Sequence, residues 1–167
     1  MEWDAAERIL VNKAIAECDF NKLLTSNLAG VRKIMFMIHP NPADQEQVYS
    51  ASQISITNIN IEINSKDLFN TNITTPQEAY RQVSENFNAN GQDVNTGSLL
   101  SYVRWANFYR IYAFDLSRQE IFESNPNAVQ TIRIRGTASA AGTLMCILFK
   151  NKKTQISFSN PQNTRTI

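Results

Sequence analysis

The isoleucines of residues 53–63 constrain this chain more than any other feature. The run QISITNINIEI alternates apolar and polar residues, with Ile54 and Ile56 in one phase and Ile59, Ile61 and Ile63 in the other. A period of two is the signature of a β-strand with one face buried. A slip of one residue would turn every later side chain to the opposite face. A bulge or break near Thr57-Asn58 restores the burial, and bulges are common where strands of a sandwich change sheet.

The remaining sequence supplies more strands. Val31–Ile38 (VRKIMFMI) is an almost unbroken apolar run stopped by His39-Pro40-Asn41-Pro42, the pattern of a strand buried on both faces. Residues 107–116 place Tyr109, Ile111 and Ala113 on one face and Tyr112, Phe114 and Leu116 on the other. In 130–136, Ile132 and Ile134 face inward while Arg133 and Arg135 face outward. Thr143–Phe149 is a second continuous apolar run, and 154–159 alternates again through Ile156 and Phe158. The connections at Ala140-Ala141-Gly142 and Asn151-Lys152-Lys153 are of hairpin size. Several short strands with turns between them predict a sandwich or barrel.

One helix is expected between the strands. Thr75 can cap free amides, Pro76 suits the first helical position, and Glu78 stands where a capping-box acid belongs. That helix should run to about Phe87 and stop in the turn-rich Asn88-Ala89-Asn90-Gly91. The N-terminal stretch is two-sided. Asp4-Ala5-Ala6-Glu7 resembles a capping box before good helix formers, yet Ile9, Val11 and Ile15 keep the odd-position rhythm of a strand.

At 167 residues the chain has the length of a single domain, with too little for two ordinary cores. A net charge of +1 gives no electrostatic argument for a nucleic-acid or membrane surface. No apolar run approaches a membrane span of about 20 residues. Cys18 and Cys146 lie far apart in apolar runs, without metal-ligand spacing, and are expected as buried free thiols. His39 is the single histidine and precedes a proline, so a packing or turn role is expected. Gly91 and Gly97 fit no phosphate cradle. Asp115 and Glu120 are explained by salt bridging with Arg110 or Arg118, not as paired catalytic carboxylates. Arg104, Trp105, Phe108, Tyr109 and Arg110 interleave cations with aromatics as single-strand binders do, but no broader basic face supports nucleic-acid binding; aromatics filling the core is the simpler reading. Asn72-Ile73-Thr74 matches a glycosylation acceptor without a secretory signal to accompany it. No catalytic constellation, metal site or cofactor is expected, and the chain is read as a non-enzyme.

The segment from Tyr109 onward, YRIYAFDLSRQ, then EIFESNPN and AVQTIRIRG, resembles the major capsid proteins of polintons and polinton-like viruses, relatives of virophage capsid proteins. The stretches ITNINIEINSKDLF and ITTPQEAYRQ resemble the matching part of the same family, so the likeness spans about Ile54 to Ser159. It lies in overall sequence texture and includes no ligand set. The family implies two jelly rolls in one chain, trimers, and an icosahedral shell of pseudo-hexagonal capsomers. This chain has length for one roll only and resembles the C-terminal one, which leaves open a fragment or a separate single-roll protein.

The resemblance implies a jelly-roll β-sandwich of two four-stranded antiparallel sheets with one short inserted helix, and residues 8–17 as strand complete the eight. It implies copies of the chain as partners in a homotrimer and shell, with a second jelly roll or minor capsid protein besides, and the virion as location after assembly in nucleus or cytoplasm. Neither membrane insertion nor nucleic-acid binding is expected. Candidate subunit-interface residues are Arg118, Phe122 and Glu123 in a loop, with Arg110 and Asp115 beside them; Phe122 has capping of the core as its other reading. The rival function is a carbohydrate-binding, lectin-like sandwich.

Overall fold

The computed structural model describes residues 2–40, 54–87, 101–117 and 129–155. Its strands are β1 (Glu2–Ile15), β2 (Asp19–Ala29), β3 (Val31–His39), β4 (Ile56–Ile63), β5 (Lys66–Asp67), β6 (Tyr112–Asp115), β7 (Val129–Ala138) and β8 (Gly142–Gln155). Helices α1 (Pro76–Phe87) and α2 (Tyr102–Phe108) lie between β5 and β6. The two sheets have the orders β1-β8-β3-β6 and β2-β7-β4-β5. All pairings are antiparallel.

These orders follow from one long hairpin rolled up. First pairs with eighth, second with seventh, third with sixth and fourth with fifth. Curling that ribbon then adds the pairs β3·β8 and β4·β7, which close the two sheets face to face. The result is a jelly roll.

The tip of the hairpin is Asn64-Ser65, at φ 50° and 66° between the paired Ile63 and Lys66. Two residues of positive φ make a type I′ turn, whose twist matches that of the strands, and asparagine is among the residues that tolerate it. The corner from β2 to β3 is the single residue Gly30, at φ 73°. Buried Gln130 braces that corner, its Oε1 accepting the Val31 amide at 3.2 Å.

The isoleucine phase slip is a bulge. Along β4 and β7, Thr57 pairs with Thr137 and Asn60 with Arg135, so Asn58 and Ile59 together oppose Gly136. Asn58 absorbs the extra residue at φ 52°. Ile54, Ile56, Ile59, Ile61 and Ile63 are all buried as a consequence. Asn60 is buried on the other side of the strand. Its Nδ2 donates to Phe69 O and Asn72 Oδ1, both at 3.0 Å, and its Oδ1 accepts from Ile61 N and Phe69 N. It thereby binds the segment after β5 onto β4.

The helix start is as the sequence indicates. The Glu78 amide donates to Thr75 Oγ1, and Glu78 Oε2 accepts the amides of Thr74 and Thr75, each at 3.3 Å. Those bonds hold the Glu78 carboxyl below its usual pKa.

Several expectations are corrected. Two helices are inserted, not one, and of the stretch 107–116 read as strand residues 107–108 belong to helix α2 while Tyr112–Asp115 are strand. β8 runs unbroken through residues 151–153, where a hairpin is expected, because β1 pairs with it in unshifted register to Gln155. Residues 156–159 lie outside the described residues, as does the turn at 88–91. The short connection at 139–141 joins strands of different sheets, so it is a crossing between layers. On β3 the inward Ile34, Phe36 and Ile38 are fully buried, whereas Met35 and Met37 on the outer face are only half-buried. Cys146 is buried, but Cys18 is exposed in the turn after β1.

Gly136 faces the bulge without room for a side chain. An added Cβ would stand 2.9 Å from Ile56 Cγ2, 3.2 Å from Thr57 O and 3.3 Å from Phe20 Cζ. Gly136→Ala should therefore lower stability by about 1–3 kcal/mol, as overpacking does, read as a lower urea midpoint at unchanged m-value.

Candidate interaction surface

The sixth strand is the base of the surface that combines the most exposed apolar side chains. Helix α2 enters it. Ser101 caps the helix, its Oγ accepting the Arg104 amide at 3.4 Å. The i, i+3, i+4 set Tyr102, Trp105 and Ala106 turns inward. Trp105 is fully buried, with ring centroids 5.7 Å from Tyr80 of α1 and 5.6 Å from Tyr112 of β6, and its Nε1 donates to Ile111 O at 2.7 Å. The stack continues from Tyr112 through Phe36 and Phe114 to Phe69. Aromatic contacts thus tie both helices to the sandwich.

The far side of α2 faces solvent. Val103 is 63% exposed, Phe108 58% and Tyr109 44%. Among the described residues six large apolar side chains are exposed, and half of them fall in this short stretch. Clustering of this kind marks an interaction site better than a lone exposed leucine does.

Of the residues singled out from sequence, two flank β6. Arg110 Nε donates to Ala106 O at 2.7 Å, closing the C-terminus of α2 where a cation is favoured. Asp115 ends β6, its Oδ1 accepting from the Ser117 amide at 2.8 Å and from Ser117 Oγ at 2.5 Å. Both are engaged with nearby main chain at opposite ends of one strand. Arg118, Phe122 and Glu123 lie outside the described residues, as does Glu120. Val103, Phe108 and Tyr109 complete the surface and are not singled out as an interface by the sequence. The signal for them is the cap Ser101 followed by helical spacing at Tyr102, Trp105 and Ala106, which leaves 103 and 108 outside.

One row of the β1-β8-β3-β6 sheet is also apolar. Register places Leu10, Ile147, Met35 and Ala113 in one row across its four strands. A cleft of about 280 Å³ opens at the β6 end of that row, between Met35, Ala113, Phe149, Lys33 and Asn86 of α1. Asn86 Nδ2 donates to Ala113 O at 3.2 Å, covering part of the β6 edge.

His39 has a turn role: its Nδ1 donates to Pro40 O at 2.7 Å. Among the described residues no group of three or more His, Cys, Asp or Glu side chains is placed to hold a metal ion. No described helix is long and apolar enough to cross a membrane. Comparison with protein-family models, with curated proteins and with solved structures finds no match.

Beneath the surface, Tyr112 clamps the two sheets together. Its hydroxyl accepts the Ile56 amide at 2.8 Å and donates to Ile56 O at 3.4 Å. Burial raises its pKa, with the Ile56 hydrogen bond and the Arg110 charge acting the other way. Burial also pushes the Cys146 thiol up to about 12. A raised folded pKa gives stability that is complete below the unfolded value and lost as pH rises through the folded one. Stability should therefore decline from the ordinary thiol range near pH 9 upward, and more steeply above about pH 10 where tyrosine ionises in the unfolded chain. Tyr112→Phe should cost about 1–3 kcal/mol at pH 7, since the Ile56 amide loses its partner, and should flatten the decline above pH 10. Urea titrations at a series of pH values read both effects.

Proposed function

We propose that this chain is a structural unit of a virus capsid, a jelly roll that works by packing against copies of itself. The observation that carries the reading is the strand order β1-β8-β3-β6 against β2-β7-β4-β5. Jelly rolls build capsids but also lectins and cupins, so the fold alone does not choose among functions. Two features favour the capsid reading. One is the resemblance of 54–159 to the capsid proteins of polintons and polinton-like viruses. The other is the apolar set Val103, Phe108 and Tyr109, displayed on the outer side of the inserted helix α2 and at its C-cap. Function then resides in contacts between subunits and not in a reacting group, and the unit is a homotrimer within a larger shell.

Light scattering across a range of concentrations tests the reading. The expected mass is a trimer or a larger closed assembly. Phe108→Asp together with Tyr109→Asp should reduce that mass to a smaller species while leaving the thermal midpoint nearly unchanged, because exposed substitutions cost within about 0.5 kcal/mol. A strict monomer at all concentrations, or a specific hit in a sugar-binding screen, would turn the assignment toward a solitary binding module.

A further inference from the structure

The cleft of about 280 Å³ beside β6 is built from three strands' register and one helix end. At its base is the pair Ile34 and Phe114, whose side chains belong to the core. Met35 and Ala113, directly opposed on β3 and β6, bound it on one side. Lys33 and Phe149, opposed on β3 and β8, bound it on the other. The last turn of α1 closes it with Asn86, whose Nδ2 spends both hydrogens, on Gln82 O at 2.7 Å and on Ala113 O at 3.2 Å. That wall is fixed before any ligand arrives, which lowers the ordering cost of binding.

The lining is apolar except for Asn86 and Lys33, and Lys33 is its single charged residue. A largely apolar cleft with a few placed polar groups is the usual form of a small-molecule site. Its charge is reinforced from the next strand. Register sets Arg8 of β1 opposite Phe149, so two exposed cations, Arg8 and Lys33, stand on either side of that ring. Neighbouring strands are about 4.8 Å apart, which keeps both cations close to the mouth. The acid on the other side of Lys33 is Asp115, whose Oδ1 is taken up by the Ser117 amide at 2.8 Å and Ser117 Oγ at 2.5 Å.

We infer that this cleft binds a single acyl chain of medium length, tail against Met35, Ala113 and Phe149 and carboxylate at Lys33. The tail removes those three side chains from water. The ammonium makes a charge-assisted hydrogen bond to the head, and its methylene stem extends the apolar wall. The volume is at the small end for ligand sites, which favours one chain over a two-tailed lipid. The inference goes beyond the capsid reading and does not rest on it, since Val103, Phe108 and Tyr109 take no part.

Isothermal titration calorimetry of the full chain tests it, with hexanoate, heptanoate and octanoate below their micelle-forming concentrations. One site per chain is expected, tightening about fourfold for each methylene added. Octanoate should bind at least tenfold more tightly than octanol, and octyltrimethylammonium more weakly than either. Lys33→Gln, an exposed change, should weaken octanoate at least tenfold and leave octanol within about twofold. Ala113→Leu fills the cleft and should abolish binding of both, with circular dichroism and the thermal midpoint checking that the fold is kept. The proposal fails if no saturable binding occurs, or if octanol matches octanoate. It fails equally if Lys33→Gln leaves the octanoate affinity unchanged, which would make Lys33 a solvated surface charge. Octanoate binding that survives in a folded Ala113→Leu protein would place the ligand elsewhere and overturn it as well.

Discussion

β7 and β8 are flanked on both sides, β7 by β2 and β4 and β8 by β1 and β3. Their inward residues are Ile132, Ile134 and Ala138 on one strand and Leu144, Cys146 and Leu148 on the other, all essentially sealed from solvent. Each half of the sandwich is thus built around a strand from the last quarter of the chain. Burial of these facing rows is what the other elements rely on, since hydrophobic gain scales with the apolar area removed from water. Small residues occur where the layers need room. Gly136 sits opposite the bulge of β4, and a Cβ on Gly142 would collide with the carbonyl of His39.

The buried polar groups belong to this scaffold. Asn60 holds the segment after β5, Gln130 braces the β2–β3 corner, and the Tyr112 hydroxyl bridges the sheets. Each stitches main chain that would otherwise leave amides without partners, which is costly in a core. The surface proposed for contact lies elsewhere, at one edge of one sheet. Helix α2 leads into β6 at one side, and β1 forms the other.

Much of the fold is legible in sequence where local chemistry and tertiary need agree. The phase slip between Ile56 and Ile59 locates the bulge, and Thr75-Pro76-Gln77-Glu78 locates the start of α1. Where they disagree, the tertiary term prevails. The helix formers of ERILVNKAIAE lie in β1 because fourteen pairs with β8 outweigh weak local propensity. β2 is not anticipated as a strand, since its two bulges erase the alternation that would reveal it. α2 is hidden for a different reason: at seven residues it is about two turns long and runs straight into the stretch that alternates toward β6, which outweighs its helical spacing at 102, 105 and 106. Of the expected interface, Arg110 and Asp115 can be placed and are bound locally, so the exposed neighbours Phe108 and Tyr109 are the better candidates for the proposed contact.

The nested pairing carries a consequence for synthesis. β1 leaves the ribosome well before its partner, with Ile15 and Gly142 separated by 127 positions along the chain. At about 5–20 residues per second, β1 waits roughly 6–25 s for β8, while its Ile9, Val11 and Ile15 have no layer to cover them. Each nascent chain therefore carries a 14-residue strand available to neighbours on the same message throughout that interval. For a protein made in many copies at once, the order in which strands are born is a constraint on yield as real as the stability of the finished fold.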